Sequence, residues 1–232
     1  VLIALLVPEL CGAQVSGSVQ VVSDYRFRGV TLSNRDPAAQ ADVNFDASNS
    51  SYSGLYSGAF LSTARLDYPV RSATQWLPYA GYAVRLASGF SLDAGAEYSG
   101  FAGDPSLSYF EAHVGIANED FAARIHYSPS YFHGGVHTLY AQLDASRAAG
   151  ERARVFVHAG ALELVSSSQG DPGASQGQTD VRVGVSCRWG QLRLQGAWVG
   201  VNRVSDVYPV GNYDATVSSG RSAWVLQIGA TF

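Results

Sequence analysis

The chain has 232 residues, 47% of them hydrophobic and only 15% charged, with 25 Gly, 13 Tyr, 10 Phe and a formal net charge of -4. That length fits one barrel or sandwich domain, and the apolar and aromatic content excludes a disordered chain. All 15 basic residues are Arg and face 19 acids, so there is no basic excess for phosphates and nucleic acid is not an expected partner. No run of 18 apolar residues occurs, which excludes a helical membrane span on length. A membrane barrel stays open, because its alternating strands average to near-neutral hydropathy.

Residues 1–7 (VLIALLV) are an apolar run, followed by Pro8 and the small residues Cys11, Gly12 and Ala13. Residues 1–13 therefore read as the remnant of a secretory signal peptide with cleavage before Gln14, and residues 14–232 as one barrel domain. A lipidated Cys11 is the weaker reading, since Leu10 and Glu9 are not the small residues expected ahead of it. Beyond this segment only Cys187 remains, and one cysteine forms no internal disulfide.

Further on, the chain alternates with period two. Ala39, Ala41, Val43, Phe45 and Ala47 interleave with Gln40, Asp42, Asn44 and Asp46. The pattern returns at residues 90–99, and again where Val181, Val183, Val185, Cys187 and Trp189 alternate with Asp180, Arg182, Gly184, Ser186 and Arg188. This period predicts strands near residues 16–28, 38–48, 52–65, 76–86, 90–101, 108–117, 121–128, 137–145, 153–164, 179–189, 192–202 and 222–232. The connections alternate in length. Short ones are expected at 49–51, 87–89, 118–120, 146–152 and 190–191, and longer ones at 29–37, 66–75, 102–107, 129–136, 165–178 and 203–221.

An even number of roughly ten-residue strands joined by alternately short and long connections is the pattern of an antiparallel outer-membrane barrel. The expected fold is thus all-β, a closed antiparallel transmembrane β-barrel of about 12 strands. Short turns, including Asn49, Gly89, Asn118 and Gly190, would lie on the periplasmic rim, with longer loops outside. A soluble exported sandwich is the competing fold, but it has no reason to sort its loops in this way. The last strand places Trp224, Leu226, Ile228, Ala230 and Phe232 on one face. Its terminal Phe232 is the expected assembly signal, read by the barrel assembly machinery. Aromatics near strand ends, namely Trp76, Tyr98, Phe121, Tyr127, Trp189 and Trp224, make a partial membrane-interface belt, with Trp198 nearer mid-strand.

In such a barrel the apolar faces meet outer-membrane lipid and the polar faces meet the lumen. The expected pore-lining residues are Arg26, Arg28, Arg85, Arg124, Arg154, Arg182, Arg188 and Arg193, with Asp24, Asp42, Asp46, Asp93, Glu97, Glu111, Asp144 and Asp180. The signs balance, which predicts weak ion selectivity. No strained G-x-S-x-G elbow appears and no Ser–His pair can be assembled, so the chain does not read as an enzyme. His113 and His126 fall on polar faces of neighbouring strands, while His133 and His137 share a Gly-rich loop that reads as solvated. Without a three- or four-ligand cluster, no metal and no cofactor is expected. Residues 170–173 (GDPG) read as a flexible surface loop rather than a calcium site.

Residues 22–40 (VSDYRFRGVTLSNRDPAAQ), 77–82 (LPYAGY), 90–98 (FSLDAGAEY) and 127–132 (YSPSYF) resemble the TorF family of porins, a proteobacterial group. The Ser-x-Tyr-x-Phe-Arg-Gly stretch at 23–29 is the most specific part. The sequence departs from that family at Ala41, where Gly is more usual, and at Ser130, where an acid is. The resemblance spans the mature chain and implies a location in the bacterial outer membrane and a porin-like channel role. Passive diffusion of small hydrophilic solutes is the expected activity; the alternative is a structural or adhesive barrel with a plugged lumen and binding by its outer loops.

Overall fold

The computed structural model describes residues 13–50, 53–66, 71–132, 135–167, 177–203 and 222–232. The loop at 170–173, His133 and the signal-like segment through Gly12 lie outside them. Fourteen strands are present among the described residues: β1 Ala13–Val22, β2 Arg26–Phe27, β3 Val30–Thr31, β4 Ala38–Ser50, β5 Ser53–Leu66, β6 Arg71–Arg85, β7 Ser91–Ala102, β8 Tyr109–Ala117, β9 Phe121–Tyr131, β10 Val136–Ala148, β11 Ala153–Ser167, β12 Gln178–Trp189, β13 Leu192–Val201 and β14 Ser222–Thr231. Twelve of them close into one antiparallel barrel in which β4 to β14 follow in chain order and β1 lies between β14 and β4. β2 and β3 stand apart as a two-stranded hairpin.

Closure leaves no sheet edge, so each wall strand satisfies its backbone groups from both sides. The seam is β1 on β14, in register from Ser18 opposite Thr231 to Val22 opposite Gln227. Phe232 extends it, exchanging two 3.0 Å backbone hydrogen bonds with Gly17. Pro78 lies within β6 but has no N–H to donate, and the β6–β7 ladder skips Leu77 and Pro78 while keeping its register on either side.

The period-two reading orients the wall correctly. Val19, Val43, Val114, Ile125, Leu143, Val183 and Leu226 face outward and are exposed on the chain surface. Their neighbours Gln40, Glu111, His126, Asp180 and Ser186 face inward and are buried. Apolar outside and polar inside is the reverse of a water-soluble barrel. The outward aromatics gather toward the two ends. Trp198, inside β13, pairs in register with Trp224, three residues into β14. Trp76 packs against Tyr98, with ring centroids 5.2 Å apart.

Some expected boundaries move. The first strand was expected over 16–28, yet β1 leaves the wall after Val22. Its last ties are the Ser23 amide on the Leu226 carbonyl, 2.8 Å, and the Leu226 amide on Ser23 Oγ, 3.0 Å. Much of the expected 66–75 connection is strand instead, since β5 runs to Leu66 and β6 begins at Arg71. At that same end of the barrel, a 3-10 turn over Pro105–Leu107 buries Leu107.

Candidate functional site

After Val22 the chain turns into the lumen and forms the β2–β3 hairpin, with Arg26 opposite Thr31 and Phe27 opposite Val30. Its two-residue turn is Arg28-Gly29, both at positive φ, +50° and +79°. Two consecutive left-handed residues are what a type I′ hairpin turn requires. Gly29 is needed for space as well as for φ: a Cβ there would lie 2.8 Å from Asp180 Cβ and 3.0 Å from Val201 Cβ. Arg28 adopts a conformation unfavourable for a non-glycine residue, and the contacts of its side chain hold it there.

Those contacts are extensive. The Arg28 guanidinium grips Glu111 through both oxygens, Nη1 to Oε1 at 3.0 Å and Nη2 to Oε2 at 2.6 Å. Nη1 also donates to the Tyr131 hydroxyl at 3.0 Å, and the guanidinium carbon lies 4.0 Å from the Tyr140 ring centroid. Gln178 Nε2 donates to the Arg28 carbonyl at 2.8 Å, tying the turn to β12. Planar two-point pairing with aromatic stacking is a task for Arg that Lys would not fill. Asp24 anchors the hairpin's base, accepting from Arg26 Nε and from Thr31 Oγ1, each at 2.6 Å. The Tyr25 hydroxyl donates to Gln75 Oε1 at 2.6 Å, and Gln75 Nε2 passes the chain to Ser99 Oγ at 2.8 Å.

Around this polar frame an apolar cluster fills the lumen at the end carrying the longer connections. Val30, Leu32, Phe101, Leu107, Tyr109, Tyr131, Phe132, Tyr140 and Leu162 are all buried there. A buried apolar core thus lies inside the barrel's own mouth. Asp24, Arg26 and Arg28, expected on the wall of the first strand, belong to this inner hairpin. The alternation that placed them on the wall breaks at Val22 and Ser23, where an apolar residue takes the polar face and a polar one the apolar face, and then resumes through Arg28; that two-residue break marks the end of β1.

Beneath the hairpin lies a cavity of about 430 Å³, roofed by Asp24, Arg26 and Arg28 and walled by Glu97, Arg124, His126, His158, Asp180 and Arg182. Two side-chain clusters flank it. In one, His158 is hydrogen-bonded through both ring nitrogens, Nδ1 with Asp144 at 2.8 Å and Nε2 with Asp180 at 3.1 Å, and the Tyr140 hydroxyl donates to Asp180 at 3.1 Å. In the other, Asp93, Glu97, Glu111, His113, Arg124 and His126 come from β7, β8 and β9. Glu97 stands opposite Glu111, and His113 opposite His126. Ligand atoms of Glu97, His113 and His126 all lie within 4.8 Å of one another. The sequence singled out the two histidines, but Glu97 joins them only through the register of β7 on β8.

Toward the short-turn end the lumen is polar and looser. Asp42 takes hydrogen bonds from Ser18 and from Asn44, the latter at 2.9 Å, and Tyr79 bonds Asn44. Arg154 meets Asp120 at 3.2 Å, and Arg182 lies over the Phe156 ring at 5.5 Å. Asp46, Arg85, Arg188 and Arg193 sit exposed at this rim, with Arg188 Nε on the Gly190 carbonyl at 3.0 Å. His137, expected in a solvated loop, instead lies among the first residues of β10, next to Val136, and bonds the Tyr127 hydroxyl at 2.8 Å.

In sequence, the chain matches a bacterial protein family of unknown function, Gcw_chp, over residues 9–232. The chain belongs to the Gcw_chp family. No curated protein matches it. Among solved structures it is similar to the COG4313 outer membrane channel from Pseudomonas putida F1, with a TM-score of 0.52 and 12% identity over 95% of this chain and 94% of that one. It is also similar to the KdgM porin, with a TM-score of 0.51 and 11% identity over 94% and 98% of the two chains. The translocator domain of the autotransporter NalP from Neisseria meningitidis gives a TM-score of 0.50 at 8% identity, over 95% and 88%. At such identities the likeness is one of fold. This Gcw_chp chain has the closed twelve-strand architecture of outer-membrane barrels.

Proposed function

We propose that this Gcw_chp barrel is a narrow channel of the bacterial outer membrane for passive diffusion of small hydrophilic solutes, restricted from within by its β2–β3 hairpin. The observation that carries the reading is the position of that hairpin: it closes the mouth over a polar, charge-lined cavity. A barrel that served only as a scaffold has no use for such a cavity. The resemblance to TorF porins and the likeness to channel folds point the same way. Short turns then face the periplasm, longer loops face outward, and Phe232 is the strand end read by the barrel assembly machinery.

Charge inside the lumen remains balanced once the hairpin is set aside. Arg26 and Asp24 satisfy each other, as do Arg28 and Glu111. Asp42, Asp46, Asp93, Glu97, Asp144 and Asp180 then face Arg85, Arg124, Arg154, Arg182, Arg188 and Arg193, so ion preference is weak. No nucleophile–base pair of a hydrolase is part of this reading, and the protein acts without enzymatic chemistry.

Planar-bilayer recording under a salt gradient tests the proposal. Wild-type protein gives small conductance steps with a reversal potential near zero, and replacing residues 24–33 by a Gly-Ser linker enlarges the steps. Silence from both proteins in repeated insertions overturns the channel and supports the plugged structural or adhesive barrel.

A further inference from the structure

The cluster on β7, β8 and β9 holds two histidines that the hairpin does not use. His113 is 9% exposed and His126 is 7% exposed. His113 Nε2 is held by Asp93 Oδ2 at 3.1 Å and by the Tyr56 hydroxyl at 3.1 Å, while its Nδ1 is buried with no hydrogen-bond partner. Neither nitrogen of His126 has a hydrogen-bond partner either, and its nearest acid is Glu97, 3.6 Å from Nδ1. A buried imidazole normally satisfies both nitrogens, since leaving one unmade costs its desolvation. Three such atoms in one cluster need an explanation.

We propose that Glu97, His113 and His126 bind a single divalent transition-metal ion in the lumen wall, directly beneath the inner hairpin. The donor set is two imidazoles and one carboxylate, which suits Zn²⁺, Co²⁺ or Cu²⁺ and is too rich in nitrogen for Ca²⁺ or Mg²⁺. A tetrahedral ion with ligand bonds of about 2.0–2.1 Å places its ligands ~3.3 Å apart. The three side chains, within 4.8 Å, need only close slightly to reach that spacing. Asp93 on the far nitrogen of His113 supplies the carboxylate that commonly orients a metal-bound imidazole.

Neighbouring charges leave room for a cation. Arg28 is engaged by Glu111 in a two-point pair, and Arg124 faces Asp93 at 3.5 Å. Glu97 and His126 line the cavity, so the ion has a route in and a fourth position open to water. The other histidine cluster does not share this character, because His158 spends both nitrogens on Asp144 and Asp180. The site is independent of conduction: a silent barrel would bind metal as well.

Tag-free protein, folded into detergent and freed of metal, is titrated with Co²⁺ and followed by its visible ligand-field bands, then with Zn²⁺ by calorimetry. One ion per chain is expected, with the strong bands of a tetrahedral site. His113→Gln and His126→Gln each weaken binding at least about tenfold, Asp93→Asn weakens it about tenfold, and His137→Gln leaves it unchanged. Folding of each variant is verified by heat-modifiable gel mobility. A second measurement needs no variant: Zn²⁺ protects His113 and His126 of the wild-type barrel from diethylpyrocarbonate, read by mass spectrometry. The proposal is overturned by the lack of saturable one-to-one binding in folded wild type, by binding that survives both histidine variants, or by protection falling on other histidines.

Discussion

At the long-connection end of the lumen, Arg28 and Glu111 pair with 5% and 1% of their side chains exposed; at the short-turn end, Arg154 and Asp120 pair with 39% and 56% exposed. Both are Arg–carboxylate contacts inside or beside one barrel, yet their surroundings give them different physical weight. The buried pair is enclosed by Tyr131, Tyr140 and the hairpin turn, so removing either partner leaves a buried charge without its counter-ion. The rim pair exchanges protein contacts for water with little change in free energy. A lumen described by its charges alone is misread: the same residue types build a plug at one end and a solvated vestibule at the other.

The largest expected effect comes from Arg28→Ala, which leaves Glu111 buried and unpaired and costs about 3–5 kcal/mol of barrel stability. Urea unfolding of the folded barrel in micelles measures it. Arg28→Leu combined with Glu111→Leu should lose markedly less than Arg28→Ala, since no charge remains to be stranded. Equal losses in the two proteins would show that packing of the hairpin, rather than the ion pair, distinguishes this end.

Next is the contrast across the wall. Val183 faces outward on β12, so Val183→Arg places a charge against hydrocarbon at about 2–4 kcal/mol near the bilayer midplane. Its neighbour Gly184 faces the lumen but is no tolerant control: a Cβ there would lie 2.4 Å from the Gly196 carbonyl oxygen and 2.5 Å from Phe156 Cζ. Gln195, on the adjoining inward face, is the better reference, and Gln195→Ser should change stability by only ~0.5 kcal/mol. Comparable losses at Val183 and Gln195 would break the assignment of faces.

Gly29→Ala sharpens the plug itself. The new methyl is forced toward Asp180 and Val201 at a positive φ, and the strain is about 1–3 kcal/mol. In bilayer recordings the displaced hairpin should raise conductance, and an unchanged trace would mean the turn relaxes in place. The smallest effect belongs to Arg154→Ala, at most about 1 kcal/mol and diminishing as salt is added. A loss as large as that of Arg28→Ala would erase the distinction between the two ends.

Much of the wall was legible because period two is a local property. Val181 to Trp189 and Ala39 to Ala47 declare their faces in a few residues, and alternating connection lengths then imply an antiparallel closure. The inner hairpin was not legible by that rule. Tyr25 and Phe27 keep the parity of Val19 and Val21, so the pattern resumes after the break at Val22-Ser23 and masks the exit of the strand from the wall. A local signal did exist: Arg28-Gly29 between Phe27 and Val30 is a two-residue turn, and Gly at its second position favours the left-handed backbone. The Glu97–His113–His126 cluster offered no comparable sign, since its members lie on three strands and meet only through register.

That this chain makes strands, how many cross the wall and which face of each is apolar are all written in its residue order, because side-chain direction in a strand follows from the parity of position along the chain. What fills the lumen depends on contacts between segments far apart in the chain. Arg28 meets Glu111 across 83 positions and Gln178 across 150. Such partners are selected by the relative register of neighbouring strands and by the chain folding back into its own barrel. Neither leaves a periodic trace, because both depend on where distant segments come to rest and not on how adjacent residues alternate.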